Sequence, residues 1–176
     1  IAFGAAILDN DGLLVWNQDN DGGVIGTPTD NQVPPKVIYP GGLPTFVDLD
    51  DDGEPELLTG RDAWKIAWTP GAPPSVSLSR LWQNLDGKGN DGWPAVADLD
   101  GNGSPEVVLT AWPFIRVLDG RSGELWCGVD PSGEACIADP SLRTQPIAIK
   151  GANLGGPATL ADFDGDGGLE AAIAGG

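Results

Sequence analysis

Short apolar runs separated by turn-forming residues make up most of the chain. No window places apolar residues at i, i+3, i+4 and i+7 over three turns, which is the spacing of an amphipathic helix. The 27 Gly and 16 Pro residues fall between the apolar runs instead of forming one low-complexity block. This arrangement is typical of many short strands joined by turns. The pattern predicts an all-β fold in which helix is nowhere favoured.

Three segments repeat one pattern, in which an apolar run precedes the motif D-x-D-x-[DN]-G-x-x-E and a second apolar run follows it. The segments are PTFVDLDDDGEPELLTG from Pro44, PAVADLDGNGSPEVVLTA from Pro94 and PATLADFDGDGGLEAAIAGG from Pro157. The first Asp of the motif lies at 48, 98 and 162, so the intervals are 50 and 64 residues. Intervals of this size fit a four-stranded unit with variable insertions.

A second motif alternates with the first. ILDNDGLLVW at 7–16 and VLDGRSGELW at 117–126 each run from apolar residues through a turn to a Trp, which predicts a β-hairpin. WKIAWTPGAPPSVSLSRLW at 64–82 has the same form with a longer, proline-rich tip. One acidic-loop pair plus the next hairpin gives four antiparallel strands, and such sheets arranged radially are the blades of a β-propeller.

The whole chain, 1–176, is therefore interpreted as one β-propeller segment of about three blade equivalents. Its parts are an outer hairpin at 1–17, blades at 44–86 and 94–128, a disulfide-bearing insertion at 129–156, and the inner half of a further blade at 157–176. Propellers close with about four to eight blades. We expect the remaining blades of a longer polypeptide, or other copies, to complete the ring, and unpaired strand edges favour the longer polypeptide.

The acidic motif has the composition of a cation-binding loop. Side chains at positions 1, 3, 5 and 9, with the backbone carbonyl of position 7, converge on one point when Gly at position 6 reverses the chain. The predicted ligands are Asp48, Asp50, Asp52, Glu54 and Glu56 in the first loop, Asp98, Asp100, Asn102, Ser104 and Glu106 in the second, and Asp162, Asp164, Asp166, Gly168 and Glu170 in the third. Oxygen-only ligands favour Ca²⁺, about three ions in all. The alternative is a solvated Asp-Gly turn.

Asn102 replaces the third Asp of the second loop. This lowers the charge of that loop, and we expect it to lower the affinity for Ca²⁺ as well.

Charge and cysteine content limit the partners and the compartment. A net charge of −17 argues against nucleic acid and against anionic membrane surfaces. No apolar run approaches the roughly 20 residues needed to span a bilayer, so membrane insertion is not expected.

Cys127 and Cys136 flank a segment that can turn back on itself, and we interpret them as a disulfide in a secreted or cell-surface protein. Free thiols are the alternative, since the absence of His leaves a zinc site incomplete.

The acidic motif between short strands, with the intervening LDG…G…LW hairpin, resembles the FG-GAP (VCBS-like) repeats of integrin-type β-propellers. The resemblance covers the chain apart from 18–43 and 129–156, although the Phe-Gly-Gly-Ala-Pro element itself is not present. It implies that each loop joins the inner two strands of a blade and binds one Ca²⁺. Such blades occur in integrin α-subunit heads, fungal lectins and secreted or surface bacterial proteins, including some polysaccharide-cleaving enzymes.

No arrangement of residues in the sequence identifies a catalytic site. The chain has no His, and the motif loops use many of its carboxylates. We therefore expect a binding, adhesive or structural module and not an enzyme, with a protein or glycan ligand that stays unknown. The alternatives are a lectin-type propeller, in which some of the seven Trp stack on sugars, and an accessory propeller of a polysaccharide-active enzyme.

Overall fold

The computed structural model is built from short antiparallel strands. It describes residues 6–17, 43–72, 74–84, 92–111, 113–128, 130, 132, 134–149 and 156–174. The strands in these ranges are β1 (Ala6–Leu8), β2 (Leu14–Asn17), β3 (Pro44–Val47), β4 (Glu56–Thr59), β5 (Asp62–Thr69), β6 (Ser75–Gln83), β7 (Trp93–Ala97), β8 (Glu106–Ala111), β9 (Phe114–Asp119), β10 (Ile147–Ala148), β11 (Thr159–Ala161) and β12 (Glu170–Ala172). They form four antiparallel sheets, so the all-β prediction is confirmed.

In the first four-stranded sheet, β3, β4, β5 and β6 are neighbours in the order of the chain. The turn between β4 and β5 consists of Gly60 and Arg61, and Gly60 has a φ of 67°, which glycine adopts without strain. β5 and β6 pair along their whole length, from Asp62 to Thr69. The four strands predicted between residues 44 and 86 are thus present in one sheet.

The second four-stranded sheet has the order β7, β8, β9, β10, and its fourth strand comes in two pieces. Leu125 first forms a bridge to Leu118 near the end of β9. The described residues between 127 and 146 lie outside the sheet, and the chain returns as β10, which pairs with the beginning of β9. The sequence pattern predicts that this unit ends at 128 and that 129–156 is separate from it, whereas the structure returns β10 to the same sheet edge.

The excursion at 127–146 contains a short helix, α1 (Glu134–Ala138), and a 3-10 turn (Pro140–Leu142). The expectation of no helix is therefore wrong for this segment. Oδ2 of Asp130 accepts a hydrogen bond from the N–H of Ala135, in the first turn of α1, at 2.8 Å, a local contact that apolar spacing does not reveal. Among the described residues no helix has the length and apolar character that crossing a membrane requires.

The remaining strands form two hairpin sheets, β1–β2 and β11–β12. Two clusters of buried apolar side chains pack the sheets together. The larger joins the two four-stranded sheets and contains Leu49, Leu58, Ala63, Trp82, Val107, Leu109, Ala111 and Leu118. The smaller joins the β1–β2 hairpin to the first four-stranded sheet and contains Ile7, Trp16, Leu57 and Trp64. β11 lies beside β7, so each hairpin neighbours a different four-stranded sheet.

Hydrogen bonds at the end of β6 fix the two four-stranded sheets relative to each other. The indole N–H of Trp82 donates to the carbonyl oxygen of Gly120 at 2.7 Å. The side-chain amide of Asn84 donates to the carbonyl oxygen of Gly123 at 2.8 Å. These bonds attach the first sheet to the turn that follows β9.

Candidate metal centres

Each acidic motif forms the loop between two paired strands: β3 and β4, β7 and β8, and β11 and β12. Positions 4 and 6 of each loop have positive φ values. They are Asp51 (65°), Gly53 (88°), Gly101 (75°), Gly103 (89°), Gly165 (82°) and Gly167 (95°). Glycine enters this left-handed region without a steric penalty. The conformation therefore explains why position 6 is Gly in every copy.

The carboxylate of the first Asp in each loop lies inside the turn and accepts hydrogen bonds from backbone N–H groups of the turn. Asp48 accepts hydrogen bonds from the N–H groups of Asp51 and Gly53, at 2.7 and 2.9 Å. Asp98 and Asp162 accept from the N–H groups at the same two positions of their loops. These bonds hold the carboxylate of position 1 at the centre of each loop.

The Glu at position 9 begins the second strand and reaches back across the loop. Oε2 of Glu56 accepts from the N–H of Leu49 at 2.8 Å, and Glu106 and Glu170 make the equivalent bond at 2.7 and 2.8 Å. Glu56 and Glu106 are each only 1% exposed. A carboxylate that is removed from water stays ionised only when hydrogen bonds or positive charge compensate it.

The carboxylates at positions 1, 3 and 9 converge in all three loops. In each loop one oxygen from each of the three residues lies within 4.8 Å of the others. The groups are Asp48, Asp50 and Glu56; Asp98, Asp100 and Glu106; and Asp162, Asp164 and Glu170. The structure thus brings together the residues that the motif placed at these positions.

The side chain at position 5 accepts a hydrogen bond from the backbone N–H of position 7. The acceptor and donor residues are Asp52 and Glu54 at 2.9 Å, Asn102 and Ser104 at 2.6 Å, and Asp166 and Gly168 at 2.8 Å. One side-chain oxygen of position 5 is therefore engaged within each loop. The carbonyl of position 7 as a ligand stays a prediction.

Lys65, on β5, lies over the first loop. Its Nζ is 2.6 Å from Oδ2 of Asp50, 2.6 Å from Oδ2 of Asp52 and 3.6 Å from Oε1 of Glu56. These hydrogen bonds and charges raise the pKa of Lys65 above its usual range and lower the pKa of Asp52. The motif spacing does not assign Lys65 to this loop. The register of the β4–β5 hairpin, which brings Lys65 opposite Glu56, is the signal that could have identified this contact.

Beside the second loop, a carboxylate occupies the position that corresponds to Lys65 of the first. Asp119, the last residue of β9, pairs directly with Glu106 across the strands. Burial raises the pKa of Glu106 to about 7, the N–H of Leu99 opposes this shift, and the charges of Asp100, Asp98 and Asp119 add to it. The motif spacing does not connect Asp119 with this loop. This loop concentrates negative charge around a buried carboxylate.

The third loop is the most open of the three. Asp162 and Asp164 are exposed and Glu170 is half-buried. Its internal hydrogen bonds nevertheless match those of the other two loops, including the bond from the N–H of Phe163 to Glu170. The loop conformation therefore does not depend on burial.

The ligand atoms that the loops offer suit a hard cation. Carboxylate and amide oxygens are the only side-chain donors at the predicted positions, and such oxygens suit Ca²⁺ or Mg²⁺ better than softer metals. In the second loop, Oδ2 of Asp100 is buried without a hydrogen-bond partner. A bound cation would satisfy that atom and offset the mutual repulsion of the carboxylates.

The predicted disulfide between Cys127 and Cys136 is confirmed, with a Cα–Cα distance of 5.9 Å. It ties α1 back to the end of the hairpin at 117–126. A cavity of about 210 Å³ lies beside it, lined by residues that include Glu106, Asp119 and Arg143. The disulfide segment therefore borders the second loop.

Comparison of the chain with protein-family models, curated proteins and solved structures finds no match in any of the three. The fold and the loops themselves therefore provide the evidence on function.

Proposed function

We propose that this chain is a calcium-binding β-propeller module of a secreted or cell-surface protein, with a binding, adhesive or structural role and no catalytic one. One observation carries the proposal: the same convergence of three carboxylates occurs in three loops, each between two paired strands. A single acidic turn is explained by solubility alone. A threefold repetition with the same internal hydrogen bonds is better explained by a shared ligand.

Calcium is favoured over magnesium by the form of the loops. Ca²⁺ accepts six to eight oxygens in flexible geometry, whereas Mg²⁺ requires a near-ideal octahedron. The side chains at positions 1, 3 and 9 supply three carboxylates in each loop, and the side chain of position 5 is hydrogen-bonded within the same loop. When bound, the ion would neutralise the group and connect the two strands through their loop.

The propeller part of the proposal is supported by how the sheets pack. Two four-stranded sheets, each with neighbouring strands in chain order, share one apolar cluster. The β1–β2 hairpin packs on the first sheet through a second cluster, and β11 lies beside β7 of the second sheet. A series of four-stranded sheets packed through apolar residues is how propeller blades are arranged. The acidic motif and the hairpins also support the proposed relation to FG-GAP repeats.

An extracellular location is compatible with the disulfide, since disulfides persist mainly in oxidising compartments. Integrin-type propellers and many secreted bacterial propellers share this environment. We propose secretion or surface display on that basis.

Direct calcium binding tests the function. We expect isothermal titration of the metal-free chain with Ca²⁺ to show binding, and Glu106→Gln to weaken the second loop at least tenfold, because its buried carboxylate is one of the three that converge there. Glu134→Gln, which removes an exposed acid from α1, is the matched control and should leave binding unchanged. Absence of calcium binding in the folded parent chain would refute the proposal.

Carbohydrate binding is a second candidate, favoured by a groove beside Trp68. The Trp68 side chain is 47% exposed, and a cavity of about 510 Å³ next to it is lined by Asp9, Asn10 and Asp11. An exposed indole beside carboxylate and amide groups can stack on a sugar ring and bind its hydroxyls. A glycan array with Trp68→Ala, and Phe46→Ala as the exposed-aromatic control, tests it. Signals that persist in Trp68→Ala would contradict this site.

A further inference from the structure

We propose that Lys65 is a built-in cation of the first acidic loop and that Asp119 is an additional carboxylate of the second loop. The chain would then bind Ca²⁺ at the second and third loops in preference to the first. This inference rests on the proposed calcium binding and assigns it to particular loops.

The Lys65 ammonium lies where a cation of the first loop would have to lie. It contacts carboxylate oxygens of Asp50, Asp52 and Glu56, the side chains at positions 3, 5 and 9. The ammonium contacts therefore involve the same positions that the motif provides for a metal. A divalent ion and an ammonium this close would repel each other, so binding of Ca²⁺ requires Lys65 to leave.

Strand register makes Lys65 and Asp119 equivalent positions in the two sheets. Leu57 pairs with Trp64, so the next residue outward on each strand places Lys65 opposite Glu56. In the second sheet, Asp119 pairs with Glu106. Side chains of directly opposed residues lie on the same face of a sheet, within about 4.5–5.5 Å between Cβ atoms. The same place beside the position-9 Glu is therefore cationic in one loop and anionic in the other.

This difference reverses the order of affinity expected from the motif alone. Asn102 removes one negative charge from the second loop, and Asp119, which lies outside the converging group, adds one nearby from the neighbouring strand. Lys65 offsets one negative charge of the first loop. Because calcium affinity rises with the number of ligand charges, the second loop becomes the stronger site despite Asn102.

Burial does not distinguish the two loops. Glu56 and Glu106 are each 1% exposed, and each loop has one buried carboxylate oxygen without a hydrogen-bond partner, Oδ1 of Asp50 and Oδ2 of Asp100. In the first loop, Oδ2 of Asp50 bonds to Lys65. The resident ammonium of the first loop is therefore the feature that separates the two sites.

The test is a calcium titration of the full chain and two charge-matched variants. Lys65→Met removes the ammonium and keeps an unbranched side chain on a partly exposed strand position. Arg121→Gln removes a positive charge beside the same loop, since Arg121 lies 3.5 Å from Asp51, which is not a predicted ligand. Both variants change net charge equally, so a general electrostatic effect would appear in both.

The parent chain is expected to bind two Ca²⁺ tightly and a third at least tenfold more weakly, by titration against a chromophoric chelator and by native mass spectrometry. Lys65→Met should convert the third site to tight binding, while Arg121→Gln should not. Three equally tight sites in the parent chain, unchanged in Lys65→Met, would overturn this inference and leave calcium binding intact. Absence of binding in all three proteins would refute both proposals.

Asp119→Asn provides an independent second variant. It should weaken one of the tight sites at least threefold and leave the other unchanged. Asp139→Asn is its control, because Asp139 accepts hydrogen bonds from the N–H and hydroxyl of Ser141 as Asp119 does from those of Ser122. Equal calcium affinities in Asp119→Asn and the parent chain would remove Asp119 from the site.

Discussion

Asp51 differs from the other position-4 residues because it holds a positive φ, 65°, without being glycine. Gly101 and Gly165 occupy the same position in the other two loops. For most L-residues this conformation costs roughly 1–2 kcal/mol, and Asp tolerates it better than Ala because its side chain hydrogen-bonds locally. The exposed ion pair of Asp51 with Arg121 adds little. The first loop is therefore locally strained at a single residue.

Substitution of Asp51 measures that strain. We expect Asp51→Gly to be at least as stable as the parent chain and Asp51→Ala to be about 1 kcal/mol less stable, because Ala has neither the freedom of Gly nor the polar side chain of Asp. Urea unfolding at saturating calcium gives both values. Equal stability of the Gly and Ala variants would show that the left-handed conformation is absent in solution.

At the scale of elements, the contact between the first sheet and the turn after β9 depends on a glycine. Gly123 has a φ of 67°, and a Cβ at this position would lie 2.4 Å from the indole ring of Trp82. The Trp82 N–H also donates to the carbonyl oxygen of Gly120 in the same turn. The small size of Gly123 thus allows Trp82 to reach the turn.

Gly123→Ala should therefore lower the free energy of unfolding by about 2–4 kcal/mol, through overpacking against Trp82 and through the positive φ. Thermal and urea unfolding measure the loss. Gly156→Ala is the control, since a Cβ there would meet nothing within 4 Å and it should change stability little. A Gly123→Ala variant as stable as this control would contradict the packing of the two sheets.

The elements that could be predicted depend on local sequence. The contacts that could not be predicted depend on the register of paired strands. The acidic loops follow from their own residues, since Asp48 and Gly53 complete the turn without distant partners. Lys65 and Asp119 reach the loops only through strand pairing, which the motif spacing does not specify. The two-piece fourth strand was missed for a similar reason, because β10 returns to the sheet after a long excursion.

In the whole molecule, the stability of the paired strands depends on the negative charge of the loops that connect them. The net charge is −17, and three loops each concentrate carboxylates between paired strands. Without cations, repulsion within each loop opposes the strand pairing that the loop connects. Apolar clusters then have to hold the sheets together against that repulsion. Bound cations would make each loop a favourable connection within its sheet.

The melting temperature in calcium and in chelator tests this account most directly. One site at a free ligand concentration of 100 times its Kd adds about 2.7 kcal/mol, which raises the melting temperature of a chain this size by roughly 5–10 °C. Circular dichroism melts of the chain in saturating Ca²⁺ and in excess EDTA, at equal ionic strength, should differ by at least that amount. Magnesium at the same concentration should give a smaller shift. Identical melting temperatures in calcium and EDTA would contradict the claim that the acidic loops hold calcium.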